Sequence, residues 1–222
     1  MEQYAKTGRS RVRRLAKRGA YDHETVHAII DDALVCHVAF VVDGEPRVLP
    51  TAIARIGGAV YLHGNRNSQM LRALESGARA CITVTHIDGV VVARSGFHCS
   101  MNYRAVVIHA AGRKVEGERK AEVLETFIDR LVPGLNADLR PMTAKEVRAT
   151  TVLEFDLEEV SAKVRTGPPI DDEEDYARDA WAGVVPLSMK VGKPVDDPRL
   201  PDGIEPPAYV RRYARRLSGA QR

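Results

Sequence analysis

The spacing of apolar and polar residues changes period several times along this chain. Val26, Ile29, Ile30 and Ala33 recur at helical spacing behind Asp22, a residue suited to cap a helix. They predict a short helix over about 22–33. From Leu34 to Val42 the chain is apolar and β-branched. Asp43-Gly44 then signals a hairpin, and Arg47 to Ile56 returns as a second strand. Gly57-Gly58 marks a turn and 59–63 a third strand. Gly64-Asn65-Arg66-Asn67 leads into a helix of about 68–75 with Met70, Leu71 and Leu74 on its apolar side. Residues 78–86 read as a fourth strand, Asp88-Gly89 as a turn and 90–93 as a fifth. The sixth runs from Phe97 through Gly112. Helical spacing returns over 116–131, where Val123, Leu124, Phe127, Ile128 and Leu131 form one stripe ending at Pro133-Gly134. Alternation over 150–164 predicts a closing strand.

Short strands, tight turns and few helices predict a mainly β (α+β) fold, an antiparallel barrel of six to seven strands with flanking helices. A dinucleotide-binding parallel sheet is disfavoured, because no Gly-x-Gly-x-x-Gly turn lies between a strand and a helix. The division expected is a basic arm over 1–19, the barrel over 20–166, and an extension over 167–222 that packs on the barrel or on a dimer partner. That extension turns acidic beyond Gly167, then rich in Pro and Gly to Pro207, around an island from Trp181 to Pro186.

With 222 residues, 44% hydrophobic and 28% charged, the chain has the composition of a globular protein. No apolar run approaches the roughly twenty residues of a membrane span, and the N-terminus lacks the apolar segment of a leader. A cytoplasmic protein without membrane contact is the expectation. Cys36, Cys81 and Cys99 are too widely spaced for a metal or redox pair, and buried free thiols are expected. The net charge of +3 is unevenly placed. Lys6, Arg9, Arg11, Arg13, Arg14, Lys17 and Arg18 crowd one end and Arg211, Arg212, Arg215 and Arg216 the other, with an acidic run from Asp171 to Asp175 between them. Basic ends can grip nucleic-acid phosphates. No aromatic residues are interleaved to stack on bases, which argues against a nucleic-acid partner.

Three stretches carry candidate chemistry. In Phe97–Arg104, strand alternation places His98, Ser100, Asn102 and Arg104 on one face, a set suited to an anion. In His63-Gly64-Asn65-Arg66-Asn67-Ser68, a strand-to-helix turn offers free N–H groups to a phosphate. In Leu49-Pro50-Thr51-Ala52, a proline within a strand marks an edge or bulge, where free backbone groups can meet the rim of a planar ring. No protein nucleophile or acid–base pair stands out. His98 and Cys99 point to opposite faces, and His63, His86, His98 and His109 lack the spacing of metal ligands, so no metal site is expected.

Taken together, Leu49-Pro50-Thr51, Val60-Tyr61-Leu62-His63-Gly64 with its following Ser-containing helix, and Ser100-Met101-Asn102-Tyr103-Arg104 resemble the pyridoxamine 5′-phosphate oxidase-like family of FMN-binding split barrels. The likeness covers about 20–165 and is strongest to the nitroimidazole-resistance (Nim-type) branch. The tail from Trp181 to Tyr209 resembles the extension of some of its members. The resemblance implies a homodimer with FMN near the interface. It places His63, Gly64, Asn65, Ser68, Ser100, Asn102, Tyr103 and Arg104 around the phosphate and ribityl chain, and Leu49, Pro50, Thr51 and Ala52 along the ring. Trp181 is a candidate to cover the ring or close the interface. Cys99 stands where a second His is common, Ala105 where Ser is common, and Gln69 or Met70 replaces a basic residue. No C-terminal Arg-x-His motif is present, so vitamin B6 oxidation is not the expected activity. The function implied is an FMN-dependent oxidoreductase carrying electrons from a reduced nicotinamide to a small planar acceptor, such as a nitroaromatic or quinone. The alternatives are a flavin carrier or sensor without turnover, and a barrel holding haem or a deazaflavin, with His63, His98 or His109 as an axial ligand.

Overall fold

The computed structural model describes residues 2–219, of which 214–219 are described by backbone alone. Arg215 and Arg216 of the basic C-terminus therefore lie outside the described side chains.

The strands, all paired antiparallel, form two sheets. They are β1 (Gly19–Ala20), β2 (Val35–Val42), β3 (Glu45–Ala52), β4 (Ala54–Ile56), β5 (Ala59–Asn65), β6 (Arg79–Val92), β7 (Ser100–Ala111), β8 (Arg113–Lys114), β9 (Thr150–Asp156), β10 (Val160–Arg165) and β11 (Gly183–Pro186). One sheet has the order β1-β10-β7-β6-β2-β3, with β11 also on β6; the other has the order β4-β5-β9-β8. Among the described residues five α-helices accompany them: α1 (His23–Asp31), α2 (Gln69–Glu75), α3 (Glu118–Leu131), α4 (Ala144–Ala149) and α5 (Ala208–Gly219). This is the expected split-barrel, mainly β architecture.

Local chemistry accounts for several boundaries. The Asp22 carboxylate accepts the Thr25 N–H at 2.8 Å and starts α1. Asp43 and Gly44 both adopt positive φ (54° and 80°), the conformation of the tight hairpin between β2 and β3. Thr143 and Glu146 close a reciprocal capping box that starts α4, a helix the periodicity did not predict.

Two expected strands prove to be pairs that change sheets. The run 47–56 breaks at Ile53, so that β3 lies in the larger sheet and β4 in the smaller. The run 150–164 breaks over 157–159, with β9 in the smaller sheet and β10 in the larger. Such crossings seal one core between the sheets, where Val26, Ile29, Val38, Leu62, Leu71, Ile82, Ile108, Leu153 and Phe155 are buried. A second core lies where Val123, Leu124 and Phe127 of α3 cover Tyr61 and Val152 of the small sheet.

The expected turn at Asp88-Gly89 is a correction. β6 runs unbroken for 14 residues, with an irregularity between Ile87 and Gly89. Pairing with β7 resumes beyond it at Gly89, opposite Asn102. Gly89 stays small because β11 crosses here: a Cβ on it would come within 2.9 Å of Val184 and 3.0 Å of the Val185 carbonyl. The Trp181–Pro186 island is thus partly a strand of the larger sheet, and the buried Asp171 anchors the segment before it through the Arg94 backbone (2.9 Å) and guanidinium (3.1 Å).

Candidate functional site

The residues singled out by sequence fall into two groups on either side of residues 33–34, the link between α1 and β2. Of these residues, Ala52 and His63 line one cavity and Arg104 lines another, and Ala33 and Leu34 line both.

The first cavity, of about 280 Å³, lies under α3. Its wall is largely apolar, with Leu34, Ile53, Leu124, Phe127, Leu131 and Met142 among its members, and His63 faces it from β5. The imidazole meets Phe127 edge-on, ring centres 4.4 Å apart. Its Nδ1 is buried and has no hydrogen-bond partner among the described residues. Burial pushes the His63 pKa below its usual value, so the neutral ring is the resting form at neutral pH. A neutral imidazole retains one ring nitrogen with a lone pair, the donor a metal ion needs. Above it, α3 is fixed by Arg130, which shares Asp31 with Arg55 at 2.7 and 2.5 Å. At the rim, Glu146 is held down to about 2, foremost by the Arg140 guanidinium and then by the Thr143 capping contacts.

The turn after His63 serves the backbone. The Asn65 carbonyl side chain accepts the Asn67 N–H at 2.9 Å, and Ser68 Oγ caps α2 by accepting the Leu71 N–H at 3.4 Å. Gly64 is small because a Cβ there would come within 3.1 Å of Leu71.

The second cavity, of about 390 Å³, includes His37, Thr85, His86, Asp88, Arg104 and Met189 in its lining. Arg104 does not face it as a free cation. Its Nε and Nη2 each donate to Asp88 at 3.1 Å, and its Nη1 donates to Asp32 at 2.8 Å. These bonds push the pKa of Arg104 up, the Asp88 contact foremost. Asn102 donates to the Gly167 carbonyl at 3.1 Å and accepts from the buried Arg165 guanidinium. The strand begins at Ser100, so His98 is not in the row with Ser100, Asn102 and Arg104 as expected. It lies in the preceding turn, 3.1 Å from the Asp172 carboxylate. Tyr103 faces away from Asn102 and Arg104 and stands opposite Arg165 in register. Along β3, Leu49, Pro50 and Ala52 are exposed and Thr51 is half-buried. Trp181 is 67% exposed, with its ring over Gly183.

Sequence reasoning missed the carboxylates that claim Arg104. One signal was present: Ile82, Val84, His86 and Asp88 share a face by period two, which carries Asp88 to the Arg104 side if no turn intervenes. Phe127 was legible as helix core but not as the neighbour of His63. The thiols also divide. Cys36 is buried, with desolvation pushing its pKa up to about 12, whereas Cys99 is exposed, against the expectation of burial.

With this geometry in view, the comparisons define the class. The family model for pyridoxamine 5′-phosphate oxidase matches residues 22–164. The chain belongs to the pyridoxamine 5′-phosphate oxidase-like family. Among solved structures, the flavocytochrome Anf3 of Azotobacter vinelandii is 41% identical, covering 94% of this chain and 98% of its own, with a TM-score of 0.89. The FAD and haem binding protein of Mycobacterium smegmatis is 37% identical, covering 87% and 96%, with a TM-score of 0.85. A protein assigned to 5-nitroimidazole antibiotic resistance in Bacteroides thetaiotaomicron VPI-5482 shares the fold at 20% identity, covering 66% and 86%, with a TM-score of 0.56. No curated protein matches the chain. No helix among the described residues is long and apolar enough to cross a membrane.

Proposed function

We propose that this protein is a flavin-binding electron-transfer protein that also holds haem against His63. The observation that carries the reading is the neutral, half-buried imidazole at the wall of an apolar cavity, its buried Nδ1 without a partner among the described residues. The donor chemistry fits the group: a neutral histidine ligates iron, and leucine, isoleucine, phenylalanine and methionine suit a macrocycle's faces. At about 280 Å³ the cavity is at the small end of ligand pockets, so it would enclose only part of a macrocycle held by His63. His98 is a poorer ligand because Asp172 lies beside it, and His109 does not border the cavity. The two proteins at 41% and 37% identity, a flavocytochrome and an FAD and haem binding protein, support the same reading.

A flavin accepts electrons in pairs or singly and haem singly, so the two together let a two-electron donor feed a one-electron carrier. The chain's own residues supply the setting. His63 binds, Phe127 fixes the plane of its ring, and the Asp31–Arg130 pair holds α3 down against water. We place the flavin along the exposed edge Leu49–Ala52 and the second cavity, which shares Ala33 and Leu34 with the first. Its phosphate end is assigned to the β5–α2 turn (His63, Gly64, Asn65, Ser68) and to the Ser100–Arg104 strand. Of these side chains, Ser100 has no hydrogen-bond partner among the described residues, whereas Asn65, Ser68, Asn102 and Arg104 are engaged within the chain. Val35, Val41, Val48 and Leu49 leave an apolar edge on β2 and β3, which we assign to a second copy in a homodimer. FMN as the flavin, a reduced nicotinamide as donor, a nitroaromatic or quinone as acceptor and a cytoplasmic setting complete the proposal.

The test is a visible spectrum of the purified protein and of His63→Ala, with chromophores released by heat and identified by mass. A haem band present in the wild type and lost in His63→Ala, with the flavin retained, is the expected result. Haem bound equally by the variant removes His63 from the role. Flavin without haem turns the reading to a flavin-only oxidoreductase.

A further inference from the structure

We propose that the folded loop over 12–19 docks this protein on an anionic lipid surface, with Leu15 as its apolar tip. The loop is held closed at its base. The Val12 N–H donates to the hydroxyl of the buried Tyr21 at 2.7 Å, and a Cβ on Gly19 would come within 3.0 Å of the Val12 Cβ. β1 then ties Gly19 and Ala20 into the larger sheet, opposite Lys163 and Ala162. Within this frame Leu15 adopts the left-handed backbone conformation (φ 54°, ψ 52°) and is 42% exposed. A branched apolar residue is costly in that conformation, which glycine adopts freely, and at this exposure little burial offsets the cost. Asp43, the other non-glycine residue with positive φ among the described residues, has its hairpin to account for it.

Charge points to the same partner. Arg11, Arg13, Arg14, Lys17 and Arg18 lie in or beside the loop, and no carboxylate occurs between Glu2 and Asp22. Arg9, just before them, is taken by Glu159 at 2.7 Å, and Lys6 lies over the Tyr21 ring at 4.8 Å. The other five find no carboxylate partner among the described residues. Burial first, and then the Arg18 charge, push the Arg165 pKa down, so the positive field of the loop reaches into the sheet.

A bilayer uses both features at once. Cations are drawn to anionic headgroups and an apolar tip enters the acyl boundary, two weak signals that add. A nucleic-acid strand would use the cations and leave Leu15 idle. Neither nearby tyrosine is free to stack on bases, since Tyr4 lies on His23 with ring centres 4.0 Å apart and Tyr21 is buried. The contact is peripheral, and it departs from the sequence expectation of no membrane contact. Gly19, Lys163 and Ala105 lie side by side across β1, β10 and β7, with Arg104 next along β7. The loop therefore leaves the sheet about 10 Å, two strand spacings, from the strand assigned above to the flavin phosphate. A quinone is the acceptor of that reading that dissolves in lipid. This purpose rests on the proposed function, whereas the lipid contact itself does not.

The test is co-sedimentation of the full chain, as isolated, with vesicles of phosphatidylcholine alone or with about one-third phosphatidylglycerol, at low and raised salt. The wild type is expected to bind the anionic vesicles and not the neutral ones, less so as salt rises. Arg13→Gln/Arg14→Gln should bind at least about tenfold more weakly, with Lys17→Gln in its place if the double variant melts lower. Leu15→Gly should bind about fivefold more weakly while melting at the same or a higher temperature, because glycine accepts the positive φ without strain. A structural role for Leu15 would lower the melting temperature instead. A wild type that binds neither vesicle, or both equally, overturns the proposal, as do variants within about twofold of the wild type. Tighter binding to a duplex oligonucleotide than to anionic vesicles, unchanged in Leu15→Gly, assigns the loop to nucleic acid and overturns it too. A protein without haem that still binds anionic vesicles upholds this proposal and overturns that at His63.

Discussion

His63→Phe separates the cost of the site from its use. In the cofactor-free chain, a buried ring nitrogen without a partner costs about 1–3 kcal/mol. Phenylalanine removes that nitrogen and keeps an aromatic edge against Phe127, and the adjoining cavity accommodates its extra volume. The variant without cofactor is therefore expected to be more stable than the wild type by about 1 kcal/mol, after allowance for imperfect repacking. Hemin reverses the order. A ligand at a hundred times its Kd stabilises the chain that binds it by about 2.7 kcal/mol, leaving the wild type ahead by roughly 1–2 kcal/mol. The pH dependence has a fixed sign. His63 has a lowered pKa in the fold, so between its ordinary and folded values the unfolded chain binds more protons, and the wild type loses stability as pH falls below about 6.5. His27, also lowered by burial, contributes equally to both proteins and cancels. The assay is urea unfolding of stripped protein at several pH values, with and without hemin. A variant less stable than the wild type without cofactor, a gap that does not widen as pH falls, or equal stabilisation of both by hemin would each refute the reasoning.

Three further outcomes follow from the geometry. Arg104→Met leaves Asp32 and Asp88 without their shared cation and should cost about 2 kcal/mol; a double-mutant cycle with Asp88→Asn that shows no coupling removes this pair from the account. Asp171→Ala strips a fully buried carboxylate from Arg94, should cost about 3 kcal/mol, and should expose 167–190 to protease before the barrel unfolds, as read by limited digestion and mass. At pH 8, iodoacetamide should label Cys99 within minutes and leave Cys36 untouched until urea unfolds the chain. The same thiol makes stability fall above pH 9, because the unfolded chain loses that proton and the fold keeps it up to about 12.

Much of the fold was legible in the chain itself. The cap at Asp22, the Asp43-Gly44 hairpin and the stripe on α3 are local features, and period and turn chemistry depend on neighbours within four residues. The three motifs sufficed to recognise the family. What depends on distant parts of the chain was not legible. Periodicity does not tell that 47–56 and 150–164 each divide between two sheets, because sheet membership is set by the distant strand each half pairs with. It cannot reveal that Asp88 continues β6, since only pairing with β7 decides between a bulge and a turn.

The same division runs through the site. Sequence alone determined that His63, Asn102 and Arg104 are available as chemistry on strands. Tertiary structure decided their use. It brought Asp32 from the end of α1 and Asp88 from β6 onto Arg104, and Arg165 from β10 onto Asn102, and it left His63 facing an apolar wall without a partner. The physical reason is that a charge or a lone pair acts through whatever lies within a few ångströms, and in this chain those neighbours lie 16 to 72 residues away in sequence.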